Sequence, residues 1–236
     1  MIRNKLCITM ALMCAAAVFT GGTSGKTKYE WKLEKTKNGC QIFSSVTPGK
    51  EYIAAKCVSV IDAKMDEIGV VLKDIAAFPE WMADCRQAKV LKVIDEENDK
   101  MIFYIHQHVP ILTDRDMVLK SNVILNYRKG WASIETFATK EFPYPDQKGR
   151  IRMPNFSSLW YLEWIDKDHT RATFMIDPDL GAGLPVSLSN SMIKDLPYKS
   201  MQGLKKMVKQ PKYLEAAKKS KYRKLIDQAV KEGFPK

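Results

Sequence analysis

The chain has 236 residues, of which 45% are hydrophobic, and it carries a formal net charge of +11. This length suits one large domain, and the hydrophobic fraction is that of a globular protein with a full core, which excludes a disordered chain. The charge is uneven, because residues 194–236 contain 13 Lys or Arg against 4 Asp or Glu, whereas residues 26–193 are neutral. The neutral body argues against nucleic-acid binding. The basic end suits an anionic membrane, an acidic protein partner or a solvated helix.

The first 25 residues are predicted to be a signal peptide. Arg3 and Lys5 form a basic start, Leu6–Phe19 is apolar and uncharged, and Thr20–Gly25 is small and polar, which suits cleavage. The apolar run has 14 residues, fewer than the roughly 20 that cross a bilayer. We therefore expect a secreted or periplasmic protein, with a retained interfacial anchor as the alternative.

Three strands are predicted next, and they bear on the cysteines. Their predicted ranges are Glu30–Lys35, Gly39–Val46 and Glu51–Val60. A turn centred on Pro48 and Gly49 would set Cys40 opposite Cys57. Because export leads to an oxidising compartment, these two form a candidate structural disulfide. The alternative is three small buried thiols, with Cys85 as the third.

A helix is predicted after the third strand. Asp62 is a typical N-cap residue, and apolar residues follow at helical spacing from Ala63 to about Asp74. Because proline disrupts a continuing helix, Pro79 should end it.

The middle of the chain is predicted to be an antiparallel sheet, because short strands follow one another at short intervals. The predicted strands are Ala88–Ile94, Met101–Val109, Met117–Tyr127, Trp131–Ala138, Ile151–Asp166 and Thr170–Ile176. The acidic segment Asp95–Asp99 reads as the turn between the first two.

The C-terminal part is predicted to be helical. Pro185 suits the first turn of a helix with an apolar stripe, and Pro197 should kink or interrupt that helix. Pro211 should begin a second helix over Tyr213–Glu232. The whole order predicts an α+β fold in which a curved antiparallel sheet wraps a long C-terminal helix.

Several short motifs occur in an order that resembles one family. They are Trp31, Gly39–Phe43, Asp74–Trp81, Pro110–Asp116, Ile151–Phe156, Asp177–Gly181 and Leu184–Asn190. Together they resemble the START family of steroidogenic acute regulatory protein-related lipid-transfer domains, as a bacterial-type secreted member, over about residues 29–210. We therefore divide the chain into a signal peptide (1–25), a START-like lipid-binding domain (26–210) and a basic helical extension (211–236).

The resemblance implies a helix-grip fold in which one lipid lies in a tunnel between the sheet and the long C-terminal helix. It implies non-catalytic binding and transfer of a sterol, phospholipid or similar lipid, with no cofactor and no metal. Two alternatives stay open: an enzyme on the same fold, such as a polyketide aromatase/cyclase, and a scaffold or interaction protein whose pocket its own side chains fill. We expect a monomer that binds lipid and does not bind nucleic acid. Its basic C-terminal helices are a candidate contact with an anionic membrane surface.

The polar candidates for lipid contact lie on the predicted central strands. Arg115 could contact a headgroup, or it could pair with Asp114, Asp116 or Glu163 as a structural ion pair. Sterol-transferring family members carry a second arginine six residues after this one, and the chain has Ser121 there.

Two further polar candidates share one strand face. Tyr104 and His106 are predicted to form a polar strip with His108, and the alternatives are an exposed face or a zinc site that would lack further ligands. No catalytic serine or cysteine motif accompanies them.

The apolar candidates for lining the tunnel are Trp160, Trp164, Phe174, Met175, Leu188 and Met192. Each of these residue types is also common in ordinary cores. The closing C-terminal helix or a glycine-rich loop such as Gly181–Gly183 is predicted to act as the gate.

Overall fold

The computed structural model describes residues 29–46, 49–180 and 185–234. These residues form ten strands: β1 Lys32–Lys37, β2 Cys40–Ser45, β3 Ala54–Ile61, β4 Cys85–Asp95, β5 Lys100–Gln107, β6 Asp114–Asn126, β7 Trp131–Ala138, β8 Arg150–Arg152, β9 Asn155–Trp164 and β10 Thr170–Asp179. They also form five α-helices: α1 Met65–Lys73, α2 Phe78–Trp81, α3 Val186–Met207, α4 Pro211–Lys219 and α5 Lys221–Lys231. Two 3₁₀ turns lie at Ile75–Ala77 and Tyr127–Lys129.

All ten strands belong to one sheet. Nine of them follow the order β1-β2-β3-β10-β9-β7-β6-β5-β4, and β8 pairs with β6 outside this order. The pairings are antiparallel except that β8 lies parallel to the start of β6. Helix α3 packs on β2, β3 and β10, whereas α1 packs on β9 and contacts α4 and α5. The predicted helix-grip α+β fold is therefore confirmed. None of the helices in the described ranges combines the length and apolar composition needed to cross a bilayer.

The β2–β3 register differs from the one predicted around Cys40 and Cys57. Cys40 lies opposite Ser59, and Cys57 lies opposite Ile42. The register is two residues away from the predicted one. Both cysteines, like Cys85, are buried free thiols. Cys40 and Cys57 nevertheless lie on the same face, and a hydrogen bond between their thiols lowers the pKa of Cys40 to about 6 and raises the pKa of Cys57, so their oxidation to a disulfide stays a prediction.

The helix boundaries correct two expectations about capping and proline. Lys64, not Asp62, is the N-cap of α1, and the Lys64 backbone N–H donates to Glu67 Oε2 at 2.9 Å. Pro79 does not end α1, which stops at Lys73; it lies in the first turn of the separate helix α2.

Three other boundaries of helices and strands differ from those predicted from the sequence. Helix α3 is continuous through Pro197, which is buried inside it. The predicted strand 151–166 is two strands, because the chain leaves the sheet between Arg152 and Asn155. The second C-terminal helix is likewise two, since Ser220 ends α4 and caps α5 by accepting from the Arg223 backbone N–H at 3.1 Å. The predicted signal peptide and the 181–183 gate lie outside the described residues.

Candidate functional site

A cavity lies between the concave face of the sheet and helices α1 and α2. The space inside it amounts to about 870 Å³ when the open solvent at its mouth is included, and about 80 Å³ of it is wide enough for the centre of a water molecule. The walls come from alternate residues of β5, β6, β7, β9 and β10, such as Met101, Phe103 and Ile105 of β5. Because successive side chains of a strand point to opposite faces, every second residue of these strands must lie on the convex side.

Two of the predicted lining residues form part of the cavity wall. Trp160 and Phe174 line it from neighbouring strands. Their rings stack with centroids 4.1 Å apart and planes 6° from parallel. Trp81 lies against Trp160 at 6.1 Å. The result is an aromatic wall in the middle of the cavity.

Tyr104 and His106 lie on the convex face, so they do not line this cavity. The Tyr104 hydroxyl donates to Asp116 Oδ2 at 3.1 Å and accepts a hydrogen bond from Arg150. The His106 Nε2 lies 2.7 Å from Asp114 Oδ2. The polar strip expected from the sequence is therefore a hydrogen-bonded network on the outer face of the sheet.

Arg115 is buried on the cavity face of β6, and only 1% of its surface is exposed. Its Nε donates to the Leu180 carbonyl at 3.2 Å and its Nη1 donates to the Thr113 carbonyl. Its Nη2 is buried and has no hydrogen-bond partner within the described residues. Burial lowers the pKa of Arg115.

The acids that could have neutralised Arg115 are engaged elsewhere. Asp116 pairs with Arg152, whose Nε lies 2.6 Å from Asp116 Oδ1. Asp114 lies against His106 and His108. Glu163 pairs with Arg171 at 3.6 Å. The expected structural ion pair of Arg115 with one of these three acids is absent.

Arg115 lies next to one end of the cavity. Ile105, a lining residue, pairs with Met117, and the next inward-facing pair along the same strands is Gln107 with Arg115. The arginine is thus one step beyond the apolar wall.

The other predicted residues lie away from the wall. Trp164 is on the inner face of β9, but its ring contacts Phe234 with centroids 5.4 Å apart. Met175 is on the face of β10 opposite Phe174. Leu188 is exposed and Met192 is half-buried, both on α3.

No residue of α3 lines this cavity in the part of the chain that the structure describes. The inward side chains of α3, Ile193, Met201 and Leu204, are fully buried in the core. The expectation that the cavity lies between the sheet and the long C-terminal helix is therefore wrong for this cavity, which α1 and α2 cover instead.

The opposite end of the cavity contains residues that the sequence did not single out. Asp99, at the β4–β5 turn, accepts from the Tyr222 hydroxyl at 2.7 Å and pairs with Lys221 at 2.8 Å and with Lys73 at 2.9 Å. Burial opposes ionisation of Asp99, but these bonds from Lys221, Lys73 and Tyr222 outweigh it and hold the pKa of Asp99 below its ordinary value.

The sequence contains a signal for Tyr222 but none for Asp99. Tyr222 begins an apolar spacing on α5 that continues at Ile226 and Ala229, all three buried. That helical pattern was visible within the basic segment. Asp99 gave no such signal, because an acidic turn normally faces solvent.

Ser121, the residue at the family's second arginine position, also lines the cavity. Its hydroxyl accepts from the Met101 backbone N–H at 3.1 Å and donates to the Asp99 carbonyl at 3.2 Å. It links β6 to the β4–β5 turn and adds no charge to the wall. Within the described ranges no group of three or more His, Cys, Asp or Glu side chains is placed to hold a metal ion.

Comparison with known proteins identifies the family. The START domain model matches residues 14–216. This chain belongs to the START domain family. The START match stops before α5, so Tyr222 and Phe234 lie beyond the matched region.

The chain is also similar to individual proteins and solved structures. The chain is 28% identical over 193 residues to an uncharacterised protein of Pseudomonas aeruginosa, covering 81% of this chain and 92% of that one. It shares its fold with a STAR-related lipid transfer protein of Xanthomonas axonopodis, at 23% identity and a TM-score of 0.69, covering 76% of this chain and 99% of that chain. Human STARD10 is similar at 18% identity and a TM-score of 0.68, with 87% and 82% covered.

Proposed function

We propose that this START-domain protein binds one lipid molecule in the cavity and transfers it between membranes without catalysing a reaction. One observation carries the proposal: a cavity between the sheet and helices α1 and α2 whose lining is almost entirely apolar. Ligand sites are concave and are lined mostly by hydrophobic and aromatic side chains with a few polar groups. Burying a lipid chain there is favourable by about 0.8 kcal/mol per CH₂.

The placement of ionisable groups supports a carrier over an enzyme. Tyr104, His106 and Asp114 bond to partners on the convex face. Asp99 and Tyr222 at the cavity end bond to each other. General acid–base catalysis needs a titratable group within reach of the bound substrate, with its proton free to move. These groups are committed to the fold.

Arg115 is our candidate for the contact with a lipid headgroup. A buried cation with an unpartnered donor is unfavourable alone, and an anionic or carbonyl oxygen of the ligand would satisfy it. The lipid chain would lie in the apolar cavity and its polar group would lie toward Arg115.

The basic C-terminal helices are our candidate contact with an anionic membrane. Lys212, Lys218, Lys219 and Lys224 of α4 and α5 are exposed. Each lysine near an anionic surface contributes about 1 kcal/mol. The proposal places a monomer, after signal-peptide cleavage, in the periplasm or outside the cell.

Native mass spectrometry of the purified protein, with extraction of bound lipid, tests the binding function. We expect one lipid molecule per chain, whose mass distinguishes a sterol from a phospholipid or fatty acid. A protein that is purified empty and takes up no lipid from vesicles would overturn the proposal. Turnover of an added ester or polyketide would favour an enzyme.

Flotation with vesicles tests the membrane contact. Reversing the charge of Lys218, Lys219 and Lys224 to Glu should abolish binding to anionic vesicles and leave the weak binding to neutral vesicles unchanged.

The matched control reverses three exposed lysines of the body, Lys140, Lys148 and Lys167. Equal losses in the two triple variants would show a general charge effect and exclude a docking role for α4 and α5.

A further inference from the structure

We propose that α5 is the end wall of the lipid cavity and that Tyr222 determines the length of the lipid chain that the cavity accepts. This inference rests on the lipid-binding function proposed above. It concerns a part of the chain beyond the START match, which ends at residue 216.

The Tyr222 ring forms part of the cavity wall and fits into a notch on α1. It lines the cavity and is 5% exposed. A Cβ added to Gly69 would lie 3.1 Å from Tyr222 Cδ2 and 3.3 Å from Cε2. A side chain at residue 69 would force the ring to shift by a few tenths of an ångström. The tyrosine therefore closes the cavity against α1.

The ring is held in this position by its polar end. The Tyr222 hydroxyl donates to Asp99 at 2.7 Å, and the neighbouring Lys221 pairs with the same carboxylate. Arg223, the next residue, donates from Nε to buried Asp66 on α1 at 2.6 Å. Three consecutive residues of α5 thus fix its first turn on both sides of the cavity end.

A second contact fixes the far end of the C-terminal segment. The Phe234 ring covers Gly130, where an added Cβ would overlap it, and it contacts the Trp164 ring. Gly130 has a φ of +75°, which favours glycine for a separate reason. The C-terminal segment is therefore packed against the domain at both ends of α5.

A wall at this place limits the length of the ligand. The apolar lining begins at Arg115's neighbour Ile105 and continues along β5 to Met101, beside Asp99 and Tyr222. A lipid chain that extends along these strands reaches the Tyr222 ring. Replacing the ring by a smaller side chain would allow a longer chain to enter.

The experiment measures displacement of a fluorescent fatty acid by saturated fatty acids of increasing length. For the native protein, affinity should rise about fourfold for each CH₂, the equivalent of about 0.8 kcal/mol, until the chain fills the cavity, and then stop rising. In Tyr222→Ala this limit should move to longer chains. Tyr222→Leu should move it by less, and this milder variant keeps the test available should Tyr222→Ala fail to fold.

Two control variants separate the ring from its surroundings. Tyr222→Phe keeps the ring and loses the bond to Asp99, so its length limit should equal the native one. Tyr213→Ala removes another buried tyrosine of the C-terminal segment, which bonds to Asp74 at 3.0 Å and does not line the cavity; its limit should also be native.

The outcomes distinguish this inference from the proposed function. Binding by the native protein with the same length limit in Tyr222→Ala or Tyr222→Leu would overturn the end wall alone. A shift in Tyr213→Ala equal to that in Tyr222→Ala would also overturn it, because loosening of the segment would then be the cause. Failure of the native protein to bind any fatty acid or the fluorescent probe would overturn acyl-lipid binding and this inference with it.

Discussion

The two ends of the cavity contain opposite electrostatic arrangements. At one end Arg115 is buried without an ion pair to Asp114, Asp116 or Glu163, and its Nη2 is unpartnered within the described residues. At the other end Asp99 is surrounded by Lys73, Lys221 and Tyr222.

The two arrangements suit different roles: Asp99 suits stabilisation of the fold, and Arg115 suits ligand binding. Burying a charge costs several kcal/mol, and the cost is recovered only when partners satisfy it. A carboxylate such as Asp99, which has two lysines at 2.8 and 2.9 Å and accepts a hydrogen bond from Tyr222, stabilises the contact between α5 and the domain. A buried guanidinium with a spare donor, as at Arg115, is suited to an incoming ligand. Changes at Arg223, Arg115, Asp99 and Tyr104 should therefore have effects that decrease in this order.

The largest effect is expected from breaking the ion pair beside the Asp99 end. Arg223→Ala leaves Asp66, which is 0% exposed, as an unpaired buried carboxylate. Breaking a buried pair in this way costs about 3–5 kcal/mol of the free energy of unfolding, which urea titration measures. Lys224→Ala, at the next and exposed position, should cost almost nothing. A loss below about 1 kcal/mol in Arg223→Ala would contradict a structural role for this end.

A change at the Arg115 end should act on binding instead. Arg115→Met should weaken binding of a fatty acid by roughly ten- to hundredfold, since a hydrogen bond to a charged group contributes about 1.5–3 kcal/mol. Binding of the methyl ester of the same acid, which has no charge, should change much less. Competition with a fluorescent fatty acid measures both. Equal weakening of acid and ester would show that Arg115 only maintains the packing.

The contribution of Asp99 to the free energy of unfolding should decrease in acid. Its pKa in the folded state is lowered, so the unfolded state binds more protons in the acid range. Its stabilisation is complete above the ordinary aspartate pKa of about 3.9, and it is lost as the pH falls through the lower folded-state pKa.

Urea titration at several pH values checks this sign. The difference in unfolding free energy between the native protein and Asp99→Asn should be constant near neutrality and should shrink below about pH 4. Glu96→Gln, an exposed position in the same turn, is the control. A difference that grows on acidification would refute the assignment.

The smallest effect is expected on the convex face. Tyr104→Phe removes the hydroxyl that bonds to Asp116 and Arg150, which should cost about 0.5–1.5 kcal/mol of stability. Fatty-acid affinity should stay native, because Tyr104 does not line the cavity. A loss of fatty-acid affinity without a loss of stability would show that Tyr104 contacts the ligand.

The sheet was predictable because strand periodicity is a local property of the sequence. Trp131–Ala138 was predicted with the observed bounds, and most other strands differ by a few residues. Tertiary contacts explain the failures. Pro197 lies on the buried face of α3, within a helix that packs on the sheet, and the Pro-Gly signal did not determine the β2–β3 register.

The site was predictable only where one strand face was clearly apolar. The pattern of β9 distinguished Trp160 from its neighbours. On β5 both faces are buried from Met101 to Ile105, so alternation separates two sets without saying which set faces the cavity. For this reason the sequence left Tyr104 and His106 open between the cavity face and an outer face. Tyr222 was missed because its position depends on contacts with residues more than a hundred positions away.

The wall at Tyr222 gives the cavity a direction. A lipid held with its tail against α5 would present its headgroup at the Arg115 end. The exposed lysines of α5 are on the outer side of that same wall. A protein held by these lysines at one anionic membrane would therefore point the headgroup away from it, toward whatever surface lies opposite. The molecule would behave as a tethered arm with a fixed polarity, and cargo orientation would be set before the acceptor is reached.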